Sequence, residues 1–128
     1  MPSRKPHILV IDDDAEMRLL LRAWLENDGY EVALAADGAE GLEVQRKNPA
    51  AIAITDIFMP GKEGMETLHE FRREFPDTKM IVMSGGGGRG RRVVDYLAVA
   101  RDLGAARVFN KPFEMADLSA AVAELLNP

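Results

Sequence analysis

The sequence lacks several features that would assign it to a specialised class of protein. It contains no cysteine, which excludes disulfides and thiolate metal sites. No apolar run approaches membrane-spanning length, and the basic start at residues 1–5 leads to a short apolar run and then aspartates, so no signal peptide is indicated. The net charge of -5 argues against a general nucleic-acid-binding surface.

The remaining composition is ordinary for a soluble globular protein. The chain has 128 residues, of which 47% are hydrophobic and 29% are charged. A chain of this length is most simply one domain with a proper core. We therefore expect a single domain over residues 1–128, with an ordered core at about residues 6–126. The absence of cysteine fits a cytoplasmic protein.

Short apolar runs alternate with helical patterns along the chain. The runs predict strands at residues 8–12, 31–35, 51–55, 80–83 and 108–110. In the first helical pattern, the residues expected to face the core are Met17, Leu20, Leu21, Trp24 and Leu25. This alternation is typical of an α/β fold, in which a parallel sheet carries helices on both faces.

Four of the predicted strands end at residues with reactive side chains. Asp12 and Asp13 end the first run, Asp56 the third, Ser84 the fourth and Lys111 the fifth. Right-handed crossovers place the C-terminal ends of parallel strands at one edge of a sheet. We therefore expect these side chains to meet there, where open α/β sheets bind their ligands.

The predicted cluster has the chemistry of a phosphoryl-transfer site. Three neighbouring carboxylates repel one another unless a cation is bound, and oxygen ligands of this kind suit Mg²⁺. Lys111 would supply a fixed positive charge and Ser84 a hydrogen bond to a phosphate oxygen, so that an aspartate could accept a phosphoryl group. A simpler role is open for single residues, since Asp13 or Asp14 could cap the first helix.

Several segments match one family pattern in order and spacing. They are residues 8–14 (ILVIDDD), 55–61 (TDIFMPG) with Gly64, Ser84, 103–105 (LGA) and 111–113 (KPF). On these segments, the chain resembles the receiver domain of bacterial two-component response regulators over essentially its whole length. The resemblance implies a flavodoxin-like, doubly wound five-stranded parallel sheet of order 2-1-3-4-5, flanked by five helices.

The resemblance also implies roles for the acidic residues. Asp56 would be the phosphoacceptor and would receive its phosphoryl group from a sensor histidine kinase. Asp13 and Asp56 would bind Mg²⁺ directly, with the backbone carbonyl of Phe58 as a third protein ligand. Asp12 would act mostly through a bound water. Lys111 would pair with Asp56 at rest and with the phosphoryl group afterwards.

Further expectations concern the partners and the class of protein. The resemblance implies a phosphoacceptor signalling domain that catalyses only its own phosphorylation and dephosphorylation, and a cis Lys111–Pro112 peptide bond. Its partners would be a histidine kinase or phosphotransfer protein and a downstream protein, reached by a conformational change. Direct contact with nucleic acid or a membrane is not expected. These residues contain no output domain, so we expect either a stand-alone, chemotaxis-type receiver or a piece of a longer protein.

Two features depart from the family pattern. Three residues before Lys111 the family carries an aromatic residue, but this chain has Val108, and Phe109 should point to the other face of the sheet as a core residue. The glycine run at residues 85–90 lengthens the segment after Ser84. Its spacing matches a dinucleotide motif, but the following strand ends in a lysine and not in an acidic residue. A mobile loop that helps Ser84 approach the phosphate and a plain flexible turn both stay open.

Two other functions are open alternatives. A magnesium-dependent phosphohydrolase of the haloacid-dehalogenase type also combines an aspartate nucleophile with a serine, a lysine and carboxylates, but its cap domain does not fit in 128 residues. A receiver-like adaptor that is not phosphorylated should have lost part of the acidic set, and all of that set is present here.

Overall fold

Five parallel strands form one sheet in the computed structural model, which describes residues 5–56, 64–84, 98, 100–102 and 104–127. The strands are β1 (His7–Ile11), β2 (Glu31–Ala35), β3 (Ile52–Asp56), β4 (Lys79–Ser84) and β5 (Arg107–Asn110). They lie in the order β2-β1-β3-β4-β5, and each neighbouring pair is parallel. The predicted order is confirmed, and the predicted strand ends differ from the observed ones by no more than one residue.

Helices follow the strands along the chain. They are α1 (Ala15–Asn27), α2 (Gly38–Lys47), α3 (Gly64–Glu74) and the C-terminal helix (Met115–Leu126). Residues 98 and 100–102 are also helical and mark the fifth helix, between β4 and β5. Aspartates begin the first two helices: Asp14 accepts the amides of Glu16 and Met17, and Asp37 accepts that of Glu40. The capping role left open for Asp14 is therefore confirmed.

The sheet separates two hydrophobic layers. On one face, Leu42 of α2 and Phe71 of α3 pack against strand residues such as Leu9. On the other face, Leu21 of α1 and Leu118 of the C-terminal helix pack against residues such as Ile8. Both faces of the central strands are thus covered, which explains their continuous apolar sequences.

Successive residues of β5 belong to different layers. Val108 packs against the layer of α2 and α3, and Phe109 packs against the layer of α1 and the C-terminal helix. The ring of Phe109 is half-buried, and its centroid lies 5.4 Å from that of Phe113. The expected opposite orientation of Val108 and Phe109 is confirmed.

Helix α1 exposes part of the stripe that was expected to face the core. Leu21 and Leu25 are fully buried, but Leu20 is 51% exposed and Trp24 is 40% exposed. The prediction of a core position is wrong for these two residues. Trp24 lies at the margin of the stripe, where its indole N–H donates to Ser119 Oγ of the C-terminal helix. Among the described residues, no helix is both long and apolar enough to span a bilayer.

Candidate functional site

The turn between β1 and α1 presents one buried and one exposed carboxylate. The Asp12 amide donates to the Ala35 carbonyl at 3.1 Å, which continues the contact between β1 and β2. The Asp12 side chain is fully buried, and its Oδ1 atom accepts the Asp14 amide N–H at 2.9 Å. Asp13, the next residue, is exposed. The turn therefore directs two acidic groups to the carboxyl edge of the sheet.

Asp56 and Ser84 are the last residues of the neighbouring strands β3 and β4. Asp56 is 6% exposed and Ser84 is fully buried. Within the described part of the chain, the Ser84 hydroxyl has no hydrogen-bond partner. An unsatisfied buried hydroxyl typically costs about 1–3 kcal/mol. Its position at this edge suits an acceptor that comes from outside the chain.

Lys111 follows β5 and brings a cation to the carboxylates. Its amide donates to the Ser84 carbonyl at 2.6 Å, which holds this part of the backbone beside β4. Its Nζ atom lies 2.9 Å from Asp56 Oδ2 and 3.2 Å from Asp12 Oδ2. The expected pairing with Asp56 is present, and the contact with Asp12 is additional. The Lys111–Pro112 peptide bond is cis, as predicted.

Burial and charge act against each other in this cluster. Burial raises the pKa of Asp12 and the nearby Asp56 charge adds to this, although the Asp14 amide and Lys111 act in the opposite direction. Burial by itself would lower the pKa of Lys111, but its hydrogen bond to Asp56 and the two negative charges raise that pKa above its ordinary value. Lys111 therefore stays protonated, whereas the charged form of Asp12 is less favourable in this site than in water.

The donor set fits a divalent cation. One carboxylate oxygen from each of Asp12, Asp13 and Asp56 lies within 4.8 Å of the other two. Lys111 by itself cannot offset three carboxylates, and oxygen ligands with an exposed member suit Mg²⁺, which keeps several waters. The three residues predicted as metal ligands from strand ends are thus brought together.

Two sequence predictions fall outside the described residues. Phe58, whose carbonyl was expected to complete the metal site, is one, and the glycine run at residues 85–90 is the other. Both stay predictions.

Arg18 is a residue at this site that the sequence motifs did not indicate. Its Nη1 atom donates to the backbone carbonyl of Asp12 at 2.7 Å, and the residue is half-buried. Its position in the sequence could have indicated this contact, because Arg18 is the fourth residue of α1 and helical side chains lean toward the helix N-terminus. A long donor at this position can therefore reach the preceding turn.

An open cleft of about 460 Å³ lies at the opposite edge of the sheet. It is lined by residues that precede β3 and β4, among them Ala51 and Thr78, and by Phe75 and Pro76. The acidic cluster lies at the other ends of the same strands, so this cleft is separate from the candidate site.

Comparison with known proteins identifies the family. The model of the response regulator receiver domain matches residues 8–123. The chain therefore belongs to the response regulator receiver domain family, which consists of signalling domains of two-component phosphorelay systems and not of classical enzymes.

Individual relatives agree with this membership. The response regulator MprA of Mycobacterium leprae is 36% identical over 120 residues, which cover 93% of this chain and 50% of the relative. Sporulation initiation phosphotransferase F of Bacillus subtilis is 29% identical over 119 residues, which cover 93% of this chain and 92% of the relative.

The fold comparison gives the same family. The crystal structure of a response regulator receiver domain protein from Clostridium thermocellum has a TM-score of 0.86 and 33% identity, covering 95% of this chain and 94% of that one. The predicted flavodoxin-like fold is thereby confirmed. The chain spans about half the length of several curated relatives that it matches.

Proposed function

We propose that Asp56 accepts a phosphoryl group in a magnesium-dependent step and that the chain then signals to a protein partner. The observation that carries this proposal is the contact of Asp56 Oδ2 with Lys111 Nζ at 2.9 Å, beside a group of three carboxylate oxygens within 4.8 Å. Phosphoryl transfer requires mainly positioning and charge neutralisation, and this arrangement supplies both.

Each residue of the site has a distinct proposed role. Asp13, Asp56 and the Phe58 carbonyl would hold Mg²⁺, and Asp12 would contribute through water. The metal, when bound, would neutralise charge on the phosphoryl oxygens. Lys111 would move its hydrogen bond from Asp56 to a phosphoryl oxygen. Ser84, whose buried hydroxyl has no partner among the described residues, would donate to another phosphoryl oxygen.

The chemical step is a transfer between two side chains. A carboxylate oxygen of Asp56 would form a bond to phosphorus as the P–N bond of a phosphohistidine breaks, and the electron pair of that bond would return to the imidazole. The donor would be a histidine kinase or a phosphotransfer protein. The family membership supports these donor classes, since the chain is similar to a protein named as a phosphotransferase of sporulation initiation.

The family membership also supports proposals about the domain, its compartment and its partners. We infer that residues 1–128 act as one receiver domain in the cytoplasm, with a downstream protein as its target and without direct contact with nucleic acid or a membrane. The acidic balance of the chain, with a net charge of -5, supports the absence of a nucleic-acid surface.

Labelling with a small phosphodonor tests the proposal. Wild-type protein incubated with acetyl phosphate and Mg²⁺ should gain the mass of one phosphoryl group, and Asp56→Asn should not. Asp37→Asn is a matched control, because this aspartate caps α2 and asparagine caps equally well. Wild-type protein that stays unlabelled would contradict the proposal.

Two further measurements separate the alternatives. A phosphohydrolase would release phosphate from small esters over many turnovers, whereas a receiver takes up at most one phosphoryl group on Asp56. An adaptor that is not phosphorylated would bind its partner equally well before and after treatment with acetyl phosphate.

A further inference from the structure

Each of the two peptide groups that flank Asp13 forms a hydrogen bond with a side chain. The carbonyl of Asp12, which belongs to the peptide group before Asp13, accepts Arg18 Nη1 at 2.7 Å. The amide N–H of Asp14, which belongs to the peptide group after Asp13, donates to Asp12 Oδ1 at 2.9 Å. The backbone dihedral angles of Asp13 are thus set by one side-chain hydrogen bond on each side.

The two hydrogen bonds depend on different parts of the molecule. The Asp12 carboxylate is fully buried and also contacts Lys111. Arg18 reaches the turn from the first part of α1, and that end of the helix is fixed by Asp14, whose side chain caps it and whose carbonyl accepts the Arg18 amide at 3.0 Å. A charged donor makes a stronger hydrogen bond to a carbonyl than a neutral one does.

We propose that Arg18 is a positioning residue that holds the turn of Asp12–Asp14 so that the Asp13 carboxylate is ready to bind a divalent cation. The inference rests on the proposed function, because it takes Asp13 as a ligand of Mg²⁺. Arg18 would not itself be a metal ligand and would act through the peptide group next to the ligand. Groups that orient metal ligands in this way commonly change metal affinity by about 10–100-fold when they are removed.

Electrostatics alone predicts the opposite result, which makes the proposal testable. Arg18 is a positive charge near a cation site, so removing its charge should strengthen Mg²⁺ binding if only Coulomb interactions count. Removing a positioning contact should weaken that binding. The sign of the change in the Mg²⁺ dissociation constant therefore distinguishes the two roles.

The test uses the unphosphorylated full chain and calorimetric titration with MgCl₂. We expect Arg18→Met to raise the Mg²⁺ dissociation constant about 10-fold, and Arg18→Lys, which keeps a long charged donor, to restore part of the affinity. Arg22→Met is the matched control, because Arg22 lies one turn further along α1 and makes no hydrogen bond to Asp12, Asp13 or Asp14, all of which the structure describes. Its dissociation constant should stay within about twofold of the wild-type value.

A second measurement does not depend on metal. In metal-free protein, amide hydrogen exchange at Asp14 should be faster in Arg18→Met than in wild type, while exchange in the central strands stays unchanged. In labelling with acetyl phosphate, the variant should need more Mg²⁺ for half-maximal rate but reach the wild-type rate at saturating Mg²⁺.

The outcomes separate this inference from the proposed function. If wild-type protein binds Mg²⁺ and Arg18→Met binds it equally well or more tightly, the positioning role is wrong and the proposed function stands. If wild-type protein binds no Mg²⁺ and is not labelled, the proposed function fails and this inference fails with it. If Arg18→Met does not fold, Arg18→Gln, which removes the charge and is too short to keep the contact with the Asp12 carbonyl, decides by the same criteria.

Discussion

The carboxylate of Asp12 has no exposed surface and lies 3.2 Å from the Nζ atom of Lys111. This contact does not compensate fully for burial, because the pKa of Asp12 is still raised, chiefly by loss of solvent. A carboxylate that binds a proton more tightly in the folded state than in the unfolded state lowers the free energy of unfolding at neutral pH. The buried Asp12 carboxylate thus destabilises the metal-free protein at neutral pH.

Replacing Asp12 with asparagine should therefore stabilise the metal-free protein. Asparagine keeps one oxygen for the Asp14 amide and removes the buried charge. Its NH2 group replaces the oxygen that contacts Lys111, which keeps its ion pair with Asp56, and we expect a gain of about 1–2 kcal/mol at pH 7 in EDTA. Because the folded pKa of Asp12 is raised, the gain should shrink as the pH falls below that pKa and the wild-type carboxyl becomes protonated.

Urea denaturation between pH 7.5 and pH 5 measures this difference. Asp77→Asn, at an exposed residue near the other edge of the sheet, should change the free energy of unfolding by less than about 0.5 kcal/mol. If Asp12→Asn is less stable than the wild type at pH 7, the interpretation of Asp12 as a destabilising buried charge is wrong.

Gly41 allows α2 to approach β1 closely. A Cβ atom at this position would lie 2.5 Å from Ile11 Cδ1 and 2.9 Å from Ile11 Cγ1. Gly41→Ala should destabilise the protein by about 1–2 kcal/mol, because overpacking in a fully buried layer outweighs the better helix propensity of alanine.

A double-mutant cycle checks the cause. Ile11→Val removes the nearest atom and should cost about 1 kcal/mol alone. In the Gly41→Ala background, it should cost less or become stabilising, since it relieves the clash. Additive effects in thermal or urea denaturation would show that the contact with Ile11 is not the reason.

Gln45 joins α2 to the beginnings of two strands through a buried polar network. Its Oε1 accepts the Ala50 amide at 3.0 Å, and its Nε2 donates to Thr78 Oγ1 at 2.9 Å, while that hydroxyl donates to the Ala50 carbonyl at 3.1 Å. Gln45→Leu leaves a buried amide without its acceptor and should cost about 2–3 kcal/mol. Equilibrium unfolding in urea measures the loss.

Two threonines provide a matched comparison for this network. Thr78→Val removes a hydroxyl with two hydrogen bonds and should cost about 1–2 kcal/mol. Thr67 is also buried, but its hydroxyl has no partner among the described residues, so Thr67→Val should be neutral or stabilising. Equal losses for the two variants would argue against this account.

The Arg46–Glu74 ion pair gives a second pH-dependent test on the surface. Arg46 Nε and Nη2 donate to the two carboxylate oxygens of Glu74, and this hydrogen bonding lowers the pKa of Glu74. A lowered pKa adds stability above the ordinary pKa of the carboxyl, and that stability is lost as the pH falls through the folded pKa.

NMR titration of Glu74 follows this pair directly. In Arg46→Gln, the pKa of Glu74 should rise toward its ordinary value, and high salt should reduce the difference from wild type. Lys47→Gln removes the same charge from the next residue of α2 and should leave Glu74 close to wild type. A Glu74 titration unchanged by Arg46→Gln would contradict the role of the pair.

The fold and the members of the site follow from the sequence because parallel strands end at one edge. Asp56 and Ser84 end continuous apolar runs, so their meeting point depends only on topology, which alternation of strand and helix determines. The separation of Val108 and Phe109 onto two faces was equally predictable, since side chains alternate along a strand.

Contacts that depend on side-chain conformation were not predictable in the same way. Arg18 reaches the Asp12 carbonyl only because the turn and the first part of α1 have one particular geometry. The exposure of Trp24 depends on how α1 rotates against the sheet and on the presence of Ser119 on another helix. The spacing of apolar residues along the chain predicts the apolar face of a helix, but it does not show which margin of that face is buried against the rest of the protein.

The strand order has a consequence for self-association. In the described sheet, β2 and β5 are the edge strands, and each could in principle be extended by a strand from another molecule. Both are short, with five and four residues, and they begin with the exposed charged residues Glu31 and Arg107. Short edges with charges at their ends disfavour the addition of foreign strands, so the sheet is protected from growing into aggregates at the two places where it is open.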